Sequence, residues 1–200
     1  HTSNKIQFIS FYRKIMLKEI FCSKFKHSKI EFHKGLNVIL GDNNGSNSIG
    51  KSTMLLIIDY VFGGDTYAKS DVIDHIGQHE ICFSFEFGEV NSYYKRKTAQ
   101  SKTVFVTDAH YENEKEISLD DYKKLLLQFY NIDDENISFR NIVGLYSRIY
   151  GKDHCSEKFV LSAYSKQSFD DSISRLIKIF GKYPEIQNRK EAKKNMSQEW

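Results

Sequence analysis

The feature that most constrains this chain is the pattern G-x-x-x-x-G-K-S, which occupies residues 45–52. An apolar, β-branched run at residues 36–40 precedes it and predicts a buried strand. Residues 51–62 follow it and are apolar at almost every position after Thr53, which predicts a buried helix that ends at Gly63-Gly64. A strand, a loop and a helix in this order form the context in which such a loop binds phosphate.

The residue types in this loop are the ones that phosphate binding requires. Gly45 and Gly50 let backbone N–H groups turn toward phosphate oxygens without a clash from a Cβ atom. Lys51 supplies a positive charge to the β- and γ-phosphates, and the Ser52 hydroxyl is the predicted Mg²⁺ ligand. The positive end of the helix that follows also favours the anion. We therefore expect ATP with Mg²⁺ to bind to Gly45, Ser46, Asn47, Ser48, Ile49, Gly50, Lys51, Ser52 and Thr53.

The composition indicates a folded domain. The chain has 200 residues, of which 40% are hydrophobic and 14% aromatic, so it can form a real core. The net charge of +3 is too small to indicate a nucleic-acid-binding protein by itself. Cys22, Cys82 and Cys155 form no CxxC pair, which favours a reducing, cytoplasmic compartment. No apolar run approaches the length of about 20 residues that a membrane span needs, so no membrane partner is expected.

The rest of the chain first shows strand periodicity and then helix periodicity. Apolar residues alternate over 81–87, which predicts a strand in an antiparallel meander. Helices are predicted to begin at Ser118, Ser138 and Ser168, because a capping pattern or an apolar stripe follows each serine. The remaining predicted strands are 17–25, 29–32, 92–97 and 103–107. The predicted fold class is α/β: a P-loop NTPase lobe with an antiparallel β subdomain and a helical arm.

The predicted domain boundaries follow from these elements. Residues 1–15 form an N-terminal extension, because Met16 is a second plausible start. Residues 16–181 form the lobe. Residues 182–200 are charged and poorly apolar, which is typical of an exposed helix or the start of a coiled coil.

The segment F-H-K-G-L-N-V-I-L-G at residues 32–41, with the loop after it, resembles the N-terminal half of SMC-, RecF- and RecN-type ATPase heads, which have an ABC-type fold. Residues 46–53 and I-I-D-Y-V-F-G-G-D at 57–65 resemble the YydD-like branch, some members of which have suspected defence roles. The resemblance implies that a coiled coil and a C-terminal lobe complete the head. It also implies a dimer of the full-length protein, a complementary lobe or second head as partner, and an action on duplex DNA.

Two departures from that family stand out. The loop is about four residues longer, through residues 42–44. Arg140 stands where these heads place a metal-contacting Gln, and Gln128 and Gln167 are weaker substitutes. Arg140 could instead approach phosphate or DNA, or form a surface ion pair.

The run Lys95-Arg96-Lys97, after two tyrosines, has two interpretations. Basic residues beside aromatic rings suit contacts with nucleic acid, and they equally suit a solvated hairpin tip.

Two other functions are compatible with the phosphate loop. In a stand-alone P-loop kinase or hydrolase, Asp108 would hold the metal, although a strand that runs into a turn also explains that residue. In a non-catalytic interaction module, the loop would be vestigial. No catalytic residue is assigned within these 200 residues, and we expect hydrolysis only with a complementary C-terminal lobe.

Overall fold

The computed structural model describes residues 15–40, 48–130, 132, 137–147, 161–162, 167–179 and 188–189. At its centre is an antiparallel sheet of six strands in the order β2-β1-β3-β4-β5-β6. The strands are β1 Ile15–Phe21, β2 Lys29–Glu31, β3 Glu80–Phe87, β4 Val90–Lys97, β5 Thr103–Thr107 and β6 Lys115–Ser118. The predicted antiparallel meander is confirmed, and β6 is an additional strand.

The helices are α1 Ser48–Val61, α2 Asp71–Ile76, α3 Leu119–Phe129, α4 Phe139–Tyr146 and α5 Phe169–Ile179. The three predicted serine starts are confirmed, because the hydroxyls of Ser118, Ser138 and Ser168 each accept a hydrogen bond from the backbone N–H three residues later. We call α3, α4 and α5 the helical arm.

One face of the sheet packs against α1 and α3 through aromatic rings. The ring of Phe85 packs edge-on against Phe62, the residue directly after α1, with centroids 5.4 Å apart. Phe87 stacks on Phe129 of α3 at 3.9 Å. Because these rings alternate along β3, the predicted period of two correctly identified the face of the strand that forms the core.

The opposite face of β3 is also buried, at Cys82 and Ser84. The loop between β5 and β6 brings Tyr111 near this face, where its hydroxyl donates to Glu19 of β1 at 2.7 Å. Tyr111 and Asn113 adopt left-handed backbone conformations, with φ of 60° and 55°. The loop therefore turns back over the sheet, which the alternation of residues 81–87 alone does not predict.

The strand predicted at residues 36–40 is wrong for this structure. These residues adopt no regular structure, and Leu36 and Leu40 are 81% and 84% exposed. Among the described residues no strand pairs with this run, and an apolar run without a partner strand has nothing to bury it. The prediction failed because a strand forms only beside another strand.

Several predictions fall outside the described residues. They include residues 41–47 of the loop, Cys155, and residues 182–200 apart from 188–189. Within the described part of the chain, no helix has the length and apolar character needed to cross a bilayer.

Candidate functional site

The first turn of α1 contains the described part of the phosphate loop. The helix begins at Ser48, three residues earlier than predicted, so Gly50, Lys51 and Ser52 lie near its N-terminal end. Lys51 is exposed, and no acidic residue lies in this turn. Unpaired N–H groups and the helix dipole make such an end attractive to an anion.

The surroundings of Gly50 fit a bound phosphate. A Cβ atom built at this position would meet no heavy atom of the described residues within 4 Å. Packing among the described residues therefore does not require glycine here, although glycine in a helix costs about 0.5–1 kcal/mol relative to alanine. The missing side chain leaves room beside Lys51 and Ser52, where the chain would hold the phosphates and Mg²⁺ of a nucleotide. Gly45, Ser46 and Asn47 lie outside the described residues.

Side chains from three other elements cap the C-terminal end of α1. Arg96 of β4 donates to the carbonyls of Tyr60 and, at 2.9 Å, Gly64. The Tyr122 hydroxyl of α3 donates to the Val61 carbonyl at 2.9 Å. Arg140 of α4 donates to the Phe62 carbonyl at 3.1 Å. Two guanidinium groups thus lie at the negative end of the helix dipole, and they fix α1 from the end opposite the phosphate loop.

Arg140, at the position where the resembled heads place a metal-contacting Gln, lies far from the predicted metal ligand Ser52. Its guanidinium pairs with Asp59, which is seven residues beyond Ser52 on α1. At 1.5 Å per residue, that pair lies about 10 Å along the helix from the predicted metal ligand. Arg140 is therefore an ion-pairing residue at the far end of α1, but its partner Asp59 is buried, whereas the only ion pair that the sequence left open was a surface ion pair. Gln128 is exposed on α3, and Gln167 is buried before α5.

Arg96 is not a surface contact for nucleic acid. Its side chain is fully buried, its guanidinium carbon lies 3.7 Å from the centre of the Tyr60 ring, and it also donates to the Ser101 carbonyl at 2.5 Å. Burial lowers the pKa of this guanidinium. The strand alternation could have revealed this, because Arg96 pairs with Ile81 on the core face.

Lys95 and Lys97 lie on the outer face of β4, where each lysine forms ion pairs with the same two glutamates. Their ammonium groups lie 2.7 and 2.6 Å from Glu114, and 3.3 and 3.8 Å from Glu80. Neither interpretation of the basic run anticipated this ion-pair cluster. A DNA contact by these two lysines stays a prediction, and it would compete with the four ion pairs.

Asp108 occupies a tight turn. It accepts hydrogen bonds from the backbone N–H groups of Glu112 and His110 and from the Asn113 amide. These donors hold the pKa of the Asp108 carboxyl below its usual range, the Glu112 backbone contributing most. The Asp108 carboxylate thus shapes the β5–β6 loop, which supports the turn interpretation over the role of a metal-holding acid.

Comparison with known proteins gives a family for this architecture. The sequence over residues 14–199 matches the family described as AAA domain, whose members are P-loop ATPases, occur in SMC-like proteins and generally bind ATP and Mg²⁺. No curated protein matches the chain. The match covers nearly the whole chain, the described residues show the α/β architecture with an antiparallel sheet, and the loop pattern opens α1. This chain therefore belongs to the AAA domain family of P-loop ATPases.

Proposed function

We propose that this domain is the ATP-binding N-terminal lobe of an SMC-like ATPase of the YydD-like branch, part of a complex that acts on duplex DNA or in defence. The ATP-binding part of this proposal rests on the first turn of α1. There the exposed side chain of Lys51 lies beside Gly50, where there is room for a ligand. Lys51 would contact the β- and γ-phosphates, and Ser52 would hold Mg²⁺. Bound Mg²⁺ would neutralise phosphate charge.

A complementary C-terminal lobe is the proposed partner, supplied by the same protein or by a second head in a dimer. Two apolar surfaces support this proposal. The first is the exposed run at residues 36–40. The second is a groove of about 510 Å³ between α1 and α4, whose lining includes Leu55, Ile58, Phe62, Phe139, Val143 and Tyr146. The run directly precedes the phosphate loop and α1 forms one wall of the groove, so a second lobe that closes on this side would bury both surfaces.

The kinase or hydrolase alternative has less support. An antiparallel meander follows α1, and Asp108 is engaged by three donors within its own turn. We expect the isolated chain to turn over ATP negligibly. Turnover at an ordinary enzymatic rate that Asp108→Asn abolishes would favour the alternative.

Calorimetric titration with ATP and Mg²⁺ tests the nucleotide half. Lys51→Ala removes a charge-assisted phosphate contact worth about 1.5–3 kcal/mol, so affinity should fall by about tenfold or more. Lys115→Ala, at an exposed position on β6, is the control and should bind like the wild type. If the wild type and Lys51→Ala bound ATP with equal affinity, the ATP-binding proposal would be wrong. That result would favour the alternative of an interaction module with a vestigial loop.

A further inference from the structure

The loop between β5 and β6, residues 108–114, crosses the face of the sheet that is opposite α1 and α3. The Tyr111 hydroxyl donates to Glu19 of β1 at 2.7 Å, and the Tyr111 ring stacks on Phe21 with centroids 6.4 Å apart. In the sheet, β3 and β4 lie between β1 and β5. The loop therefore reaches across two strands. We call residues 108–114 the strap, and the face beneath them the outer face.

Two polar contacts hold the strap to the sheet, and we call them the latches. The first is the hydrogen bond from Tyr111 to Glu19. The second joins the Glu114 carboxylate to the ammonium groups of Lys95 and Lys97 on β4, at 2.7 and 2.6 Å. Polar contacts near solvent contribute little each to stability, because water competes for the same groups. A segment held mainly by such contacts opens at a lower free energy than the core does.

The closed strap has local costs that opening would relieve. Tyr111 and Asn113 have φ of 60° and 55°, a left-handed conformation that L side chains adopt at a cost. Thr107, directly before the strap, has a buried hydroxyl oxygen with no hydrogen-bond partner among the described residues. Its register partner Tyr93 packs edge-on against the Tyr111 ring, with centroids 5.8 Å apart, so Thr107 lies beside the strap. Water would reach this hydroxyl if the strap lifted.

A cysteine lies beneath the strap. Cys82 is opposite Lys95 in the register of β3 and β4, on the outer face, and is 5% exposed. Burial, and to a smaller degree the Glu114 carboxylate, raises the pKa of the Cys82 thiol to about 11. Burial raises the pKa of the Tyr111 hydroxyl too, and the Cys82 thiol adds to that effect. Both latch residues of the strap are therefore near the thiol, and opening would expose it to solvent.

We infer that the strap is a mobile cover that opens without unfolding of the domain, and that the Tyr111–Glu19 and Glu114–lysine contacts are the latches that keep it closed. Opening exposes the outer face at Cys82, while the other face of the sheet stays packed on α1 and α3. The device acts on the side of the sheet away from the phosphate-loop helix, so it does not depend on the function proposed above.

Cys22 provides a control within the same chain. It is 1% exposed and belongs to the hydrophobic core. Unfolding of the domain exposes both thiols, whereas opening of the strap exposes Cys82 and leaves Cys22 buried. A loop that is permanently fixed to the sheet would leave the two thiols equally protected, relative to the reactivity of each in the denatured chain.

The test is alkylation by N-ethylmaleimide at one fixed pH, with mass spectrometry of the peptides to give a rate for each cysteine. Each rate is divided by the rate of the same cysteine in the denatured chain, because thiols differ in intrinsic reactivity. The latch variants are Tyr111→Phe and Glu114→Gln. The control is Glu80→Gln, because Glu80 also pairs with Lys95 and Lys97 and also raises the pKa of the Cys82 thiol, but lies on β3 outside the strap.

We expect Cys82 of the wild type to react at least about tenfold faster than Cys22 on this scale, since local opening is more frequent than unfolding. Each latch variant should raise the Cys82 rate by about threefold to tenfold, which is what the loss of one net hydrogen bond produces, and should leave the Cys22 rate within about twofold. Glu80→Gln should leave both rates within about twofold of the wild type.

Equal protection of the two cysteines in the wild type would overturn the inference, since Cys82 would then be exposed only by unfolding. A latch variant that leaves the Cys82 rate unchanged, or that raises the Cys22 rate equally, would also overturn it. So would equal acceleration by Glu80→Gln and Glu114→Gln, because the charge near the thiol would then explain the result without any movement of the strap. The Cys22 rate also shows whether each variant is folded.

Discussion

Arg140 Nη2 lies 2.6 Å from Asp59 Oδ1, and this ion pair joins α4 of the helical arm to the phosphate-loop helix α1. The Asp59 side chain is 3% exposed, and its second oxygen has no hydrogen-bond partner among the described residues. Arg140 is therefore the main compensation for a buried carboxylate. Next to it in sequence, Asn141 accepts a hydrogen bond from Arg175 of α5 at 2.7 Å, so α1, α4 and α5 are linked through adjacent residues.

Replacing Arg140 should lower stability and leave ATP binding unchanged. Removing one partner of a buried pair costs about 3–5 kcal/mol. The Arg140 side chain is 28% exposed, so we expect Arg140→Met to lower the free energy of unfolding by about 2–3 kcal/mol. Denaturant unfolding measures this loss, and the double variant Asp59→Asn/Arg140→Met should recover part of it. A tenfold loss of ATP affinity at unchanged stability would instead favour the approach to phosphate that the sequence left open for Arg140.

Replacing Gly64 or Gly50, at opposite ends of α1, with alanine should change stability in different ways. A Cβ atom at Gly64 would overlap the Asp59 carboxylate and lie 2.8 Å from the Asp59 carbonyl oxygen, so Gly64→Ala should destabilise the fold by about 2 kcal/mol or more. Gly50→Ala should preserve or raise stability, by up to about 1 kcal/mol, and should weaken ATP binding because the methyl group enters the phosphate space. Thermal unfolding and calorimetry on both variants check this. Unchanged ATP affinity in Gly50→Ala would contradict the assignment.

We expect substitutions of Arg96 to lower the stability of the fold. Arg96→Met leaves the carbonyls of Gly64 and Ser101 without this donor, and an unsatisfied buried polar group costs about 1–3 kcal/mol. Arg96→Lys should recover little, because a single ammonium cannot reproduce the fork of donors. We expect both variants to unfold at lower denaturant concentration. Full stability with reduced DNA binding would instead favour the original surface interpretation.

The ion pairs that Glu114 forms with Lys95 and Lys97 predict that the stability of the protein depends on pH. Hydrogen bonds from Lys95 and Lys97 hold the pKa of Glu114 below its usual value of 4.5. Because the folded-state pKa is depressed, the stabilisation by Glu114 is present above pH 4.5 and is lost as the pH falls through the folded-state pKa. Glu114→Gln should thus lower stability at pH 7 and converge with the wild type in acid. Glu89→Gln, at an exposed turn, is the control. A difference that stays constant down to pH 3 would contradict this assignment.

The sequence by itself determined the local features. Serine caps predicted the starts of α3, α4 and α5, and the alternation over residues 81–87 predicted which side of β3 meets the helices. Gly63-Gly64 predicted the end of α1, where Gly63 has φ of +84°. These predictions hold because a cap, a positive φ and a period of two depend on residues close together in the chain. The loop pattern likewise predicted a helix directly after it, and α1 is present from Ser48.

Only the tertiary structure decided how distant side chains pair. Arg140 and Asp59 are 81 residues apart, and Arg96 reaches the Tyr60 carbonyl across 36 residues. Charge alone could not separate Arg96 from Lys95 and Lys97, because their partners lie in α1, β3 and the loop before β6. Residues 36–40 show the same limit, since an apolar run forms a buried strand only when another strand and a covering layer are present. A guanidinium becomes a helix cap or a surface cation according to what the fold places beside it.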